Sequence, residues 1–368
     1  MSVSAAVLES FGLAGGKLMR FESGLINASW RVDTPSGNSF VLQRVNPMFP
    51  PIINKDIDAI TRHLRDKGMP TPVIVPTTEG APALQAAGEV WRVLTYLSGV
   101  SRDTLENARQ ASEAGALLGR FHNAVSDLDH TFSNPRLGVH DTAAHLANLR
   151  RTLAAHGDHP QFDKVNPIAE RILEMALRLP DLPLTRERIV HGDPKISNFI
   201  FDPDTDEGIG LVDLDTVASM PIVLELGDAF RSWCNPLGED TTETTFSLPF
   251  FRAAIGGYAR GAPGLLSADE WQALPVATLT IALELAARFA ADALQESYFG
   301  WDKARFENAS HHNRVRAAGQ LRVAESVHTQ RQALTDAVSK VIGGTRFPMD
   351  RGRSIRGRDR RLPPLKRD

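Results

Sequence analysis

His191-Gly192-Asp193, Lys195 and Asn198 stand just ahead of a second polar group, Asp213-Leu214-Asp215. Two short apolar runs, Asn198–Phe201 and Ile209–Val212, flank the acidic turn between them. The polar groups therefore fall at the strand ends of a β-hairpin, where side chains can converge on one point. Phosphoryl transfer needs a group for the attacking hydroxyl's proton, oxygen ligands for Mg²⁺, and a cation for the phosphates. Asp193 can be the base. The Asn198 amide oxygen and the Asp213 carboxylate can hold Mg²⁺, which takes few protein oxygens and completes its shell with substrate phosphates. Lys195 can meet the transferring phosphate as a point charge. A purely structural hairpin would gain little from three polar groups converging at its ends.

The flanking elements divide the chain. Leu18–Glu22, Ala28–Asp33 and Ser39–Val45 have strand character, the last two joined through Pro35-Ser36-Gly37-Asn38. Pro50-Pro51 opens a helix to Lys67, with Ile53, Ile57, Ile60 and Leu64 spaced for one buried face. Gly68 ends it, and Pro70 and Pro72 keep it from resuming. Val73–Val75 and Glu89–Leu97 add strands, and Ser98-Gly99-Val100 makes a hinge. Helical patterns follow over Asn107–Leu128, Asp141–Ala155 and Asn166–Leu179, then Leu248–Arg260, Ser267–Glu296 and Asn308–Ile342. The expected fold class is α+β, with a small β-rich lobe at 1–97 and a larger helical lobe at 98–344. A basic tail at 345–368 has little that could form a core and is expected to be disordered.

At 368 residues the chain is long enough for two lobes sharing a cleft. Its 42% apolar and 23% charged residues are those of an ordinary globular protein. The single Cys234 excludes an internal disulfide and suits a reducing compartment. No basic stretch followed by an apolar core opens the chain, and no apolar run approaches the roughly 20 residues that span a bilayer. A cytoplasmic protein with no membrane partner is expected. The net charge of −3 conceals an asymmetry, because the tail holds nine Arg/Lys and three Asp. The acidic body that remains is a poor ligand for nucleic acid. Nothing in the sequence sets the oligomeric state.

The spacing H-x-D-x-x-x-x-N followed by a strand-ending Asp resembles the catalytic loop and metal motif of kinase-like folds. In the form HGDPKISN with VDLDT it resembles the aminoglycoside phosphotransferase and choline kinase superfamily of small-molecule kinases. Six stretches, one of them extending VDLDT, resemble the N-acetylhexosamine 1-kinase branch: GLINASWRV (24–32), FVLQRVN (40–46), VDLDTV (212–217), LGDAFR (226–231), RFAADALQESYF (288–299) and NRVRAAGQL (313–321). The resemblance implies a two-lobed protein-kinase-like fold, ATP and Mg²⁺ as cofactors, and a small-molecule hydroxyl as acceptor. An N-acetylhexosamine leads; a choline-like amine or an aminoglycoside is the alternative. It implies that Asp193 is the base, and that Asn198 and Asp213 hold the metal. Gly24, Leu25, Ile26 and Asn27 become the loop over the phosphates, and Tyr96 and Leu97 the linker whose backbone bonds adenine. Asp228 braces the catalytic loop's backbone. Read from its own position, His191 is either a ligand or base or, as expected, a structural support that bonds backbone near the metal aspartate.

Two positions depart from the family pattern. A lysine is usual in the third strand, but Leu42 is followed by Gln43 and Arg44, which alternation puts on opposite faces. Arg44 is expected to supply the cation. Asp56 is the nearest substitute for the glutamate usual at the start of the following helix. Both departures also suit a pseudokinase that binds nucleotide without turnover, although Asp193, Asn198 and Asp213 are intact.

Other polar groups have plainer readings. Asp202, Asp204, Asp206 and Asp213 have calcium-loop spacing, but Glu207 stands where that loop needs glycine, so a hairpin turn is expected. Gly15-Gly16-Lys17 lacks the spacing of a phosphate loop. Asp215 is either a contact to substrate or metal shell or part of an ion pair. His140 and Asp141 either face substrate or cap a helix. Arg288 and Asp292, four apart, are expected to pair. Tyr298 and Phe299 are expected in the core and His311-His312 on the surface.

Overall fold

A computed structural model describes residues 3–21, 26–135 and 138–344. Gly24 and Leu25 of the expected phosphate loop, and the basic tail at 345–368, lie outside the described residues. The chain opens with helix α1 (Ala5–Ser10) and strands β1 (Lys17–Arg20), β2 (Ala28–Asp33) and β3 (Ser39–Val45). Helix α2 (Ile53–Asp66) precedes β4 (Ile74–Val75), β5 (Leu84–Ala86) and β6 (Glu89–Thr95). These strands form one antiparallel sheet in the order β1-β2-β3-β6-β4, with β5 also paired to β6.

The two faces of this sheet bury different things. Trp30, Val32, Leu42, Trp91 and Val93 pack with Val7, Leu8 and Phe11 around α1 in a small core of their own. The opposite face meets α2, whose Ile53, Ile57, Ile60 and Leu64 are buried as the sequence spacing requires. Helix α1 was not legible in the sequence, because six residues are too few for a 3.6-residue period to register.

The linker from Tyr96 to Gly99 leads into β7 (Val100–Ser101), then helices α3 (Ala108–Ala124), α4 (Thr142–Ala155) and α5 (Phe162–Ala176). Strand β8 (Glu187–Val190), the hairpin β9 (Phe199–Phe201) and β10 (Gly208–Leu211), and β11 (Ala218–Pro221) follow. The remainder is helical: α6 (Ile222–Trp233), α7 (Leu248–Gly261), α8 (Ala268–Gln295), α9 (Ala309–Thr329) and α10 (Arg331–Gly344). Strand β7 pairs with β9 to make the hairpin three-stranded, and β11 pairs with β8 beside it. Gly99 has φ +145°, and a Cβ there would stand 2.4 Å from Ile200 Cγ2. Glycine lets the linker lie directly on β9.

The architecture is α+β, with sheet in the N-terminal half and helices in the C-terminal half, as expected. Two helix expectations change. The pattern taken as one helix over Asn308–Ile342 is broken at Gln330, whose side chain donates to Phe246 O at 2.9 Å, and α10 turns back onto α7 and α8. Helix α8 is long and apolar enough to cross a bilayer by length and composition, contrary to the expectation that no run qualifies. Its most apolar window is 83% buried inside the protein, as befits a helix surrounded by other elements.

Candidate active site

Strand β8 ends in Val190 and hands the chain to His191, which is fully buried. Burial holds its pKa below the usual value, so the ring is neutral, and Nε2 donates to Val212 O at 2.9 Å. That bond ties the start of the loop to the strand leading into Asp213. Thr216 Oγ1 donates to His191 O at 2.9 Å, and Trp233 Nε1 donates to Pro194 O at 2.7 Å. Gly192 has φ +81°, and a Cβ there would stand 2.0 Å from Thr216 O. Gly192→Ala is expected to lower unfolding free energy by about 2–4 kcal/mol through clash and backbone strain. Denaturant titration checks this; an unchanged midpoint would show that the loop relaxes around the methyl.

The brace on the loop's backbone is not Asp228, as expected, but Glu225. Glu225 Oε1 accepts the His191 N–H at 3.0 Å, whereas Asp228 Oδ1 accepts from Arg231 Nε at 2.8 Å within α6. The reason is connectivity. Strand β11 runs straight into α6 while paired to β8, so the first turn of α6, where Glu225 lies, sits under the end of β8. Asp228 is one turn further on.

Asp193 stands at the head of the loop with its side chain 27% exposed. Its Oδ2 accepts from Lys195 Nζ at 2.7 Å and Asn198 Nδ2 at 3.2 Å. Burial raises the Asp193 carboxyl, but the Lys195 charge and these hydrogen bonds outweigh it, leaving the group below its ordinary value and ionised at neutral pH. Asn198 Nδ2 also donates to Asp193 O at 2.8 Å, so its amide nitrogen faces the loop, and Oδ1 has no hydrogen-bond partner among the described residues. Val212 N donates to Asn198 O at 2.9 Å, which sets Asp213 at the neighbouring step.

Asp213 adopts the left-handed conformation, φ 65° and ψ 55°, which Asp and Asn tolerate better than most side chains. Its carboxylate accepts no hydrogen bond among the described residues. Burial, with Asp215 close by, pushes it up to about 6. Among the described residues no three His, Cys, Asp or Glu side chains cluster as metal ligands. What is present is one open amide oxygen and one half-buried carboxylate without a hydrogen bond among the described residues. That pair suits a hard cation whose remaining ligands are phosphate and water.

On the N-terminal sheet, β3 pairs with β6 so that Gln43 lies opposite Arg92 and Arg44 opposite Trp91. Arg44 is thus on the α1 face with Trp91, and its Nη1 donates to Glu89 at 2.7 Å. The expected phosphate contact by Arg44 is contradicted, because no bulge shifts the register. On the other face Arg92, 1% exposed, forms a two-pronged ion pair with Asp215, Nη2 to Oδ2 at 2.9 Å. Gln43 Oε1 accepts from Arg92 Nε at 2.8 Å, and Asn54 of α2 lies 3.4 Å from Nη1. Asn27 Nδ2 donates to the same Asp215 Oδ2 at 2.5 Å, and its Oδ1 accepts from Asn46 N, while Ile26 O accepts from the Asn46 side chain. Asp215 is therefore an ion-pair partner, with both its oxygens engaged. Asp56 turns away to His130 and the Ser133 and Asn134 amides. At the linker, Tyr96 N donates to Ser39 O at 3.3 Å and Arg31 lies over the Tyr96 ring.

Residues 17–264 match the family model described as the phosphotransferase enzyme family (APH). The chain belongs to this phosphotransferase family. Membership makes it a small-molecule kinase. The phosphotransferase is 28% identical over 286 residues to a homoserine kinase of Acidiphilium cryptum (strain JF-5), covering 74% of this chain and 80% of that one. Its fold is shared by an aminoglycoside phosphotransferase from Alicyclobacillus acidocaldarius subsp. acidocaldarius DSM 446, with TM-score 0.59, 16% identity, and 94% and 97% of the two chains covered. An amicoumacin kinase in complex with AMP-PNP and Ca²⁺ gives TM-score 0.54 at 15% identity, with 90% of each chain covered. The superfamily of the resemblance is borne out; the relative's name is homoserine kinase, not hexosamine kinase.

The helical wall of this phosphotransferase carries further charge. His140 Nδ1 lies 2.9 Å from Glu284 of α8, and Thr142 Oγ1 donates to the same carboxylate at 2.6 Å. Burial lowers the His140 pKa, but the Glu284 hydrogen bond and charge outweigh it and hold it above the ordinary value. Asp141 caps α4, its Oδ1 accepting from Ala144 N at 2.9 Å, as the capping reading expects. Arg288 and Asp292 do not pair. Arg288 lies over the Tyr298 and Phe299 rings, and Asp292 accepts the Ser297, Tyr298 and Phe299 amides after the helix ends. Tyr298 is exposed rather than core, and His312 is buried against Asp240 rather than on the surface. Asp202 and Asp206 are used inside the hairpin turn and by Arg102, as a turn requires.

Glu225, Arg92 and Glu284 were missed in the sequence. Only Arg92 left a trace, as the one charged residue in V-W-R-V-L-T, a run otherwise fit for burial. Glu225 and Glu284 sit on helices whose tertiary neighbours no local pattern reveals.

Proposed function

We propose that this phosphotransferase moves the γ-phosphoryl group of ATP to the hydroxyl of a small polar molecule, with Mg²⁺ at Asn198 and Asp213. The observation that carries the reading is the convergence of an ionised Asp193 with two open oxygen donors at the ends of paired strands. The nucleotide would occupy the cleft between lobes at 1–97 and 98–344. Among the described residues, the Tyr96 carbonyl and the Leu97 backbone have no partner and remain for adenine.

In the reaction the acceptor oxygen bonds the γ-phosphorus as its proton passes to Asp193. The bond from phosphorus to the β–γ bridging oxygen breaks, and ADP leaves with that electron pair. Lys195 keeps Asp193 ionised and aimed, and lies near enough to offset charge on the transferring group. When bound, Mg²⁺ supplies charge neutralisation at the phosphate oxygens. Positioning and fixed charge do most of the work, as is general for this chemistry.

A sugar, foremost an N-acetylhexosamine, is the leading acceptor, on the strength of the six ordered sequence stretches. The homoserine kinase relative favours a second reading, a hydroxyl-bearing amine or amino acid. Mg²⁺-dependent ADP release over a panel of hexosamines, homoserine, choline and aminoglycosides separates them. Turnover of one class selects it. Nucleotide binding with no turnover on any would overturn the reading and leave a pseudokinase.

A further inference from the structure

We propose that Arg92, on β6, is the residue that meets the nucleotide's phosphates, in the place where a third-strand lysine would stand. The inference rests on the nucleotide reading above. It starts from a vacancy in residue type: β3 offers Gln43 on the cleft-side face and carries its arginine, Arg44, on the face of Trp91. Gln43 lies directly opposite Arg92, and its side-chain oxygen holds Arg92 Nε at 2.8 Å. One strand's polar side chain thus positions the neighbouring strand's cation.

The surroundings match that role. In kinases the phosphate lysine is held by a helix glutamate. Here α2 offers Asn54, at 3.4 Å, and the neutralising carboxylate is Asp215, two residues beyond the candidate metal ligand Asp213. A guanidinium has five N–H donors. Gln43, Asn54 and the two oxygens of Asp215 engage four, and the remaining one is on Nη2. Nη2 and Asn27 Nδ2 meet on the same Asp215 oxygen, so this edge of the guanidinium lies beside Asn27. Asp215 thus joins Asn27 and Arg92 two residues beyond Asp213.

The test compares full-length wild type with Arg92→Gln, Arg92→Lys and the exchange Gln43→Lys/Arg92→Gln, titrating each with adenosine and with Mg·ADP. Arg92→Gln should weaken Mg·ADP by roughly 10²-fold, the usual effect of losing one fixed donor to a developing or full anion, and leave adenosine unchanged. The exchange should recover at least tenfold of that loss, on the order of one restored charge on the same face. Arg92→Lys keeps the charge without the fork and should lose about tenfold. If Arg92 were only a strut between the halves of the molecule, melting temperature would fall while the ratio of Mg·ADP to adenosine affinity stayed constant, which overturns the proposal. Should Arg92→Gln not fold, an unchanged ratio in Arg92→Lys overturns it equally. A wild type that binds Mg·ADP but phosphorylates no acceptor defeats the turnover reading alone.

Discussion

Asp193→Asn is expected to lower kcat by at least about 10²-fold, the scale of a positioned base, with Mg·ATP affinity nearly unchanged. The substitution is isosteric. An asparagine oxygen can still accept from Lys195 Nζ, and the loop remains held by Glu225, Thr216 and Trp233 from outside. What disappears is the full negative charge proposed to orient the acceptor hydroxyl and take its proton. Because the Asp193 carboxyl lies below its ordinary value, the base is ionised across the neutral range. The acidic limb of the wild-type kcat profile therefore should not arise from this residue. A variant that keeps kcat within tenfold, a bound taken from the same scale, would remove Asp193 from the role of base.

Asp213→Asn should abolish the response to Mg²⁺ and at the same time raise the melting temperature of the metal-free protein at pH 7.5. Asparagine accepts the left-handed backbone at this position, which alanine would not do comfortably. The stabilising sign follows from the pKa. The folded carboxyl is pushed up to about 6 from an ordinary value of 3.8, so the folded chain binds the proton more tightly than the unfolded chain. Stability contributed by that proton is full below pH 3.8 and is lost as pH rises to about 6. Above that window the half-buried charge beside Asp215 costs on the order of 3 kcal/mol at 1.36 kcal/mol per pKa unit. A divalent cation at the proposed ligands Asn198 and Asp213 would relieve that cost, and its binding would compete with the proton. Wild type should thus show a larger Mg²⁺-induced rise in melting temperature at pH 7.5 than at pH 5. Equal shifts at both pH values, or Mg²⁺ dependence surviving in Asp213→Asn, would refute the ligand assignment.

The two variants exploit opposite electrostatics a few residues apart. Asp193 has a cation beside it, and Asp213 has a carboxylate neighbour and no hydrogen bond among the described residues. Local sequence cannot distinguish them, since each is an aspartate at a strand end. The difference comes from Lys195 folding back on Asp193 and from Asp215 being drawn to Arg92 across the fold.

What the sequence by itself determined is the part of the site encoded over short range. The H-x-D-x-x-x-x-N spacing, the hairpin and its closing Asp-Leu-Asp placed Asp193, Asn198 and Asp213 near one another, because strand pairing aligns residues close in the chain. Helix α2 was legible for the same reason, its four buried apolar residues recurring with the period of one helical face. Only the tertiary structure decided which groups serve those residues from afar. Arg44 shares its face with Trp91 rather than with Gln43 and Arg92 because an unbulged register puts alternate side chains on opposite faces. Glu225 displaced Asp228 because β11 enters α6 directly beneath β8. Asp215 became an ion-pair hub because the N-terminal sheet brings Arg92 and Asn27 to it across more than a hundred residues of chain. A contact over that separation leaves no periodicity to read, only a charged residue in an apolar strand.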